Sequence, residues 1–178
     1  TFIDVGYFNT DYQNMFGSCT ASGGASGECE IGDSFNAGEA KISGLELVAE
    51  TIVESSGMTF PLRLSFTSTD AEFKNTFSSS FWGNVSAGTA IPDLPETQLA
   101  LSAGFDTGNG WSGTASVYSF GSTCSVASCE AGTRVDSYNT LDLTLNREMN
   151  EKIDLYLVIT NLADNENIVA RAPKNGAR

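Results

Sequence analysis

The chain contains 178 residues, of which 17% are charged, and its 9 basic and 22 acidic side chains give a formal net charge of −13. This negative charge repels a phosphate backbone and therefore excludes nucleic acid as a partner. The low content of charged residues, together with frequent Gly, Ser, Thr and Phe, favours strands and turns over helices, so we expect an all-β protein.

Apolar and polar residues alternate along the chain in about seven segments, a pattern typical of strands with one apolar face. In chain order, these predicted strands lie near 2–14, 45–53, 58–66, 97–105, 111–120, 140–145 and 153–160. No apolar run reaches the roughly 18 residues that a membrane-spanning helix needs, but a barrel strand needs only about 9 to 11 residues with this alternation. The pattern is therefore compatible with a membrane protein that crosses the bilayer with strands.

Each predicted strand has two different faces, because successive side chains of a strand point in opposite directions. We predict that the apolar face contacts lipid through Phe60, Leu62, Leu64, Leu99, Leu101, Leu143, Leu155 and Leu157. The polar face is predicted to line a lumen through Glu46, Glu50, Arg63, Asp142 and Asp154. A wet lumen suits these charges, whereas a soluble sandwich rarely buries unpaired charged residues.

The connections between the predicted strands alternate in length. Short polar turns lie near 54–57, 107–110 and 149–152, and longer links lie near 17–35, 74–95 and 121–133. Outer-membrane barrels have short periplasmic turns and long extracellular loops, so this alternation predicts part of an antiparallel transmembrane β-barrel. A soluble β-sandwich also has one buried and one exposed face, and this alternative predicts a secreted or surface β-protein with a structural or adhesive role.

Four cysteines lie in two close pairs, Cys19 with Cys29 and Cys124 with Cys129, within stretches rich in Gly, Ser and Ala. Four cysteines allow three connectivities, and proximity in the sequence favours two local disulfides in an oxidising compartment. A zinc site is the alternative, but the chain has no histidine and the spacings differ from those of a zinc ribbon.

Catalytic groups are not recognisable in the sequence. The absence of histidine excludes Ser-His-Asp and Cys-His arrangements. Glu46 and Glu50 lie on one strand face, where we interpret them as solvated lumen residues rather than as the acid pair of a glycosidase. We therefore predict a protein without enzyme activity and without a cofactor.

Five stretches of the chain resemble motifs of the TonB-dependent outer-membrane receptors, in particular the ferric-dicitrate-type transporters. In family order, these stretches are 36–47 (NAGEAKISGLEL), 92–98 (PDLPETQ), 138–143 (YNTLDL), 160–167 (TNLADNEN) and 171–178 (RAPKNGAR). The fourth stretch is the most specific, although Ala163 and Asn167 stand where the family motif has aromatic residues. Together the motifs span nearly the whole chain.

The resemblance implies a bacterial outer-membrane barrel of about 22 strands, with an amino-terminal plug domain and energy supplied by the TonB complex. Residues 1–178 would form the carboxy-terminal part of that barrel, and we expect the plug and the last strand to lie outside this sequence. The implied function is active import of a ferric chelate, either ferric citrate or a siderophore complex. A porin without a plug is a further alternative.

Such ligands are often anionic, so basic residues in predicted extracellular segments are the candidate ligand contacts. These residues are Arg134, Arg171, Lys174 and Arg178. Pairing with lipopolysaccharide phosphates or with neighbouring acids is the other interpretation of the same charges. Trp82, in the long Ser-rich link, would stack on a ligand or pack within its loop, and Trp111 is predicted at the periplasmic membrane interface.

Overall fold

The computed structural model describes residues 1–19, 30–130 and 132–171. Among these residues the chain forms eleven strands. They are β1 (Phe2–Ser18), β2 (Ser34–Ser55), β3 (Met58–Phe73), β4 (Phe77–Ser79), β5 (Gly83–Val85), β6 (Thr97–Asp106), β7 (Trp111–Phe120), β8 (Thr123–Cys124), β9 (Arg134–Val135), β10 (Tyr138–Asn150) and β11 (Ile153–Ile159). The predicted all-β fold is confirmed.

Seven of these strands form one antiparallel sheet in the order β1-β2-β3-β6-β7-β10-β11. Each strand therefore pairs with the next long strand in the sequence. The remaining strands form two short antiparallel hairpins, β4–β5 and β8–β9, both of which lie within long connections. The described residues contain no helix with the length and hydropathy that a membrane span requires.

The register confirms that the predicted lipid-facing and lumen-facing residues occupy opposite faces. One row of cross-strand partners contains Glu50, Arg63, Ser102, Ser116 and Asp142. The adjacent row, on the other face, contains Ile3, Ala49, Leu64, Leu101, Val117 and Leu141. Side chains alternate along a strand, so all the remaining residues of the prediction also lie on their expected faces.

The charged row of the polar face contains an ion pair and a hydroxyl pair. Arg63 Nε lies 3.2 Å from Glu50 Oε1, and the hydroxyls of Ser102 and Ser116 are 2.9 Å apart. Both partners of the ion pair keep a large exposed fraction, so the pair adds little stability and chiefly matches charges across the strands.

Short turns join the sheet at one end. Ser56 and Gly57 link β2 to β3 with φ values of 53° and 77°, which is the two-residue geometry that follows the right-handed twist of a hairpin. Gly108 and Gly110 also have positive φ in the turn between β6 and β7. The third short turn, Glu151 and Lys152, joins β10 to β11, so all three predicted short turns lie where the sequence placed them.

The long connections are more structured than the sequence predicted. β1 continues to Ser18 and β2 begins at Ser34, so the predicted loop 17–35 is shortened by strand pairing at both ends. Two irregularities, between Tyr12 and Phe16 of β1, let the pairing continue with a shifted register. The other two long connections contain the hairpins β4–β5 and β8–β9, which satisfy backbone groups that an open loop would leave to water.

The disulfide prediction is confirmed for the second pair of cysteines. Cys124 and Cys129 are bonded, with their Cα atoms 5.3 Å apart. Cys19 is disulfide-bonded as well, whereas its predicted partner Cys29 lies outside the described residues. The bridge between Cys124 and Cys129 closes the loop that connects β8 to β9.

Candidate functional site

Buried apolar side chains of the described residues cluster at the end of the sheet that carries the long connections. One face of the sheet contributes Ala40 and Phe73, which are cross-strand partners and are each at most 1% exposed. These two residues extend the face that carries Glu46 and Arg63, so the cluster lies on the polar, inward side of the sheet.

The hairpin β4–β5 packs on this inward side through aromatic rings. The ring of Trp82 lies 5.0 Å from that of Phe73 and 5.2 Å from that of Phe35, both edge to face. Phe77 and Phe81 complete the set, and Phe81 stacks on Phe35 at 4.9 Å. The structure therefore places Trp82, a predicted ligand contact, within an aromatic cluster, where edge-to-face pairs are favourable.

Backbone and amide hydrogen bonds attach the same hairpin to β2. The Lys74 amide donates to the Glu39 carbonyl at 2.8 Å, and the Glu39 amide donates to Asn75 Oδ1 at 2.9 Å. Gly38, with φ of 68°, permits this approach, because a Cβ there would lie 2.5 Å from Asn75 Oδ1 and 2.9 Å from Phe77. The hairpin is thus held in place by main-chain geometry as well as by its rings.

The disulfide-closed loop packs beside the hairpin. Ala127, inside the loop, is 8% exposed and contacts the cluster around Phe73. Thr133 is fully buried, and its hydroxyl donates to the Glu130 carbonyl at 2.7 Å. We refer to the hairpin and this loop, residues 74–90 with the described residues 121–130 and 132–137, as the cap. The cap forms one packed unit over the inward side of the sheet.

At the edge of the cap, Arg134 contacts Arg171, which follows β11 in the sequence. The Nε–H of Arg171 donates to the backbone carbonyl of Arg134 at 2.7 Å. Both residues line a cavity of about 230 Å³ together with Asp136, Ser137, Tyr138, Glu166, Asn167 and Ile168. This cavity is the place where residues from the third long connection and from the last described segment, after β11, converge.

The two guanidinium groups of the cavity differ in their partners. Arg134 donates from Nε to Asp136 Oδ1 at 3.2 Å and from Nη2 to the Ser122 hydroxyl at 3.0 Å, so two of its three nitrogens have partners within the chain. Arg171 is half-buried, and no carboxylate among the described residues forms an ion pair with it. The terminal nitrogens of Arg171 are therefore the donors best placed to bind an anion in the cavity.

Not every predicted contact can be located. Lys174 and Arg178 lie outside the described residues. The sequence also missed Asp136 and Glu166, the acids that line the cavity with the arginines. Asp136 follows Arg134 at a spacing of two along an extended segment, a signal for pairing, whereas nothing local in the sequence connects Glu166 to either arginine.

Three further features of the described residues do not add to the candidate ligand site. Although Asp93 is exposed as a residue, partial burial of its carboxyl raises its pKa by desolvation. A larger cavity of about 590 Å³, bordered by Phe2, Glu50, Arg63 and Ser102, contains none of the predicted ligand contacts. The described residues contain no group of three or more His, Cys, Asp or Glu side chains that could hold a metal ion.

Comparison with known proteins identifies the family to which this architecture corresponds. The family described as "TonB dependent receptor-like, beta-barrel" matches residues 1–162. The chain belongs to this family. TonB-dependent receptors are outer-membrane transporters rather than enzymes, so the sheet is part of an outer-membrane barrel and its apolar face contacts lipid. The end with short turns is then periplasmic, and the cap with the arginine cavity is extracellular.

A solved structure supports the same fold. The siderophore receptor PiuA from Acinetobacter baumannii matches with a TM-score of 0.74 and 18% sequence identity. The alignment covers 98% of this chain and 24% of the receptor, so the chain spans about a quarter of that protein's length. No curated protein matches the sequence. At this identity the similarity establishes the barrel architecture alone.

Proposed function

We propose that this chain is part of an outer-membrane receptor that imports an anionic ferric chelate, either ferric citrate or a siderophore complex, with energy from the TonB complex. Membership of the TonB-dependent receptor family supports the transport class. The structural similarity to a siderophore receptor supports the barrel architecture, and the ferric-chelate cargo is our extension of that similarity to this chain.

The observation that carries the choice of an anionic ligand is the cavity between Arg134 and Arg171. In a chain with a net charge of −13, two arginines line one cavity at the extracellular end, and Arg171 forms no ion pair with a carboxylate of the described residues. A planar guanidinium binds a carboxylate through two parallel hydrogen bonds, which is the chemistry that citrate and carboxylate siderophores offer.

The remaining residues of the cavity would hold Arg171 in place and limit the affinity. The Arg134 carbonyl fixes Nε of Arg171, which leaves the terminal nitrogens to the ligand. Asp136 and Glu166 reduce the positive potential of the cavity. A receptor must release its cargo to the transport path, so a binding site whose charge is partly compensated is consistent with reversible capture. Lys174 and Arg178 are proposed as further contacts of the same ligand.

Replacement of Arg171 in the full-length receptor tests this proposal. We expect Arg171→Gln to weaken binding of ferric citrate or of an anionic siderophore complex about 10-fold, because a hydrogen bond to a charged group is worth about 1.5 to 3 kcal/mol. Affinity would be measured on the purified receptor at two salt concentrations, together with iron-limited growth. Lys74→Gln is the matched control, since it removes an extracellular charge that Glu72 already pairs at 3.0 Å.

The same experiment distinguishes two interpretations of these basic residues, namely that they contact the chelate or that they contact lipopolysaccharide. If Arg171→Gln binds the chelate as tightly as the wild type does, while lipopolysaccharide retention falls, the arginine contacts the outer leaflet and the proposal is wrong. Correct assembly of each variant is checked by its heat-dependent mobility on gels.

A further inference from the structure

Three cations lie within the seven-stranded sheet, and only two of them have acidic cross-strand neighbours. Arg63 is paired with Glu50, and Lys41 lies in register between Asp11 and Glu72. Arg147 instead lies in register between Trp111 and Leu155. Its environment therefore requires another explanation.

Arg147 points to the lipid side of the sheet. Its row in the register lies two residues from the row of Leu145, Gly113 and Leu157, so the side chains of both rows are on the same apolar face. The nearby acids Asp106, Glu148 and Asp154 alternate onto the opposite, inward face. Among the described residues, Arg147 has no ion pair.

The guanidinium of Arg147 is nevertheless held in a defined position. Its Cζ atom lies 5.0 Å from the centre of the Trp111 ring, a cation–π contact, and Nη1 donates to the Asn109 carbonyl at 2.8 Å. Trp111 is the first residue of β7, beside a short turn, and 47% of its surface is exposed. The pair therefore lies at the periplasmic boundary of the membrane, where tryptophan rings are enriched.

An unpaired charge on the lipid face costs about 2 to 4 kcal/mol at the centre of the bilayer but almost nothing at the boundary, where the phosphates of the lipids lie. We propose that Arg147 and Trp111 form a binding site for the phosphate of a phospholipid head group in the periplasmic leaflet. The donors of Arg147 that Asn109 does not use bind the phosphate oxygens, and the Trp111 ring fixes the plane of the guanidinium. This site is independent of the chelate cavity, which lies at the other end of the barrel.

Native mass spectrometry of the full-length receptor, released from membranes in mild detergent and incubated with phosphatidylglycerol, tests the site. We expect Arg147→Gln to lower the affinity for the first bound lipid about 10-fold, since it removes a charge-assisted contact. Arg63→Gln is the matched control, because it makes the same chemical change on the inward face and should leave lipid retention at the wild-type level.

A second variant keeps the test decisive if Arg147→Gln assembles poorly. Trp111→Leu keeps the arginine and an apolar side chain but removes the ring, so lipid affinity should fall by a smaller factor, about 3-fold. Unchanged lipid affinity in a correctly assembled Arg147→Gln or Trp111→Leu receptor would overturn the proposal. Displacement of the wild-type lipid by inorganic phosphate alone would also overturn it, because the site would then recognise a free anion rather than a head group.

Discussion

At the scale of single residues, the same side-chain chemistry has different consequences on the two faces and at the two ends of the sheet. Arg63 lies 3.2 Å from a carboxylate on the lumen face, and Arg147 lies against a tryptophan on the lipid face. Arg171 lies in an extracellular cavity and forms no ion pair with a carboxylate in the part of the chain that the structure describes. The alternation of the sequence predicts the lumen face for Arg63, but only the register and the contacts between strands distinguish the surroundings of the three arginines. A local pattern reveals the face of a residue and not its neighbours.

Trp82 illustrates the difference between a ligand contact and a packing residue. We predict that Trp82→Ala destabilises the cap by about 2 to 3 kcal/mol, less than for a fully buried tryptophan, because the ring contacts Phe35 and Phe73 while remaining partly accessible. The measurement is limited proteolysis of the receptor on intact cells. Phe16→Ala is the control, since Phe16 is 81% exposed and its loss should leave the cap resistant.

Equal protease resistance of the Trp82 and Phe16 variants would contradict a packing role for Trp82. If the Trp82 variant then lost affinity for the chelate without becoming sensitive to protease, the tryptophan would be a direct ligand contact.

At the scale of elements, the disulfide and the hairpin determine how the cap presents the arginine cavity. The bridge between Cys124 and Cys129 closes the loop that leads into β9, which begins at Arg134. The Ser125 amide donates to the Thr133 carbonyl at 2.9 Å, so the closed loop is also bonded to the residue before Arg134. The bridge therefore restrains one wall of the cavity.

Removal of this bridge should affect both stability and binding. We predict that Cys124→Ala with Cys129→Ala lowers the stability of the loop by about 2 kcal/mol, the value for a short closed loop, and weakens chelate binding several-fold through Arg134. Hydrogen exchange of the loop and chelate affinity are the two measurements. Mild reduction of the wild type serves as a comparison, and an unchanged exchange rate in the double variant would show that packing of Ala127 alone holds the loop.

At the scale of the whole molecule, the alternation of the sequence predicted the sheet and its faces, because a strand with a two-residue period exposes the same side to one environment throughout. The alternation therefore correctly placed Leu64 and Leu101 on one face of the sheet and Glu50 and Arg63 on the other face. It did not predict that the long connections contain hairpins, since the rings of Phe35, Phe73 and Trp82 are far apart in the sequence and meet only after β2 pairs with β3 and the next connection folds back. The contact between Arg134 and Arg171, 37 positions apart, was likewise beyond any local pattern.

The assignment of the faces can be tested with labels on adjacent residues. We predict that a fluorescent label on Leu101→Cys is quenched by brominated lipids, whereas the same label on Ser102→Cys is quenched only by a water-soluble agent. The reason is that the two side chains point to opposite sides of β6. Equal quenching of both labels by lipid would refute the barrel orientation, and a label on Gly108→Cys in the periplasmic turn calibrates the response to water.

The order of pairing in the sheet also bears on how this part of the barrel folds. Every long strand is bonded to its successor in the sequence, so each step of assembly closes only the connection between two consecutive strands. The entropic cost of closing a connection rises with its length. The β2–β3 pair has the two-residue link of Ser56 and Gly57, whose positive φ values already match the geometry of a hairpin turn. We therefore expect this hairpin to form early and to serve as the template onto which β1 and β6 are added, one on each side, before the extracellular cap can pack.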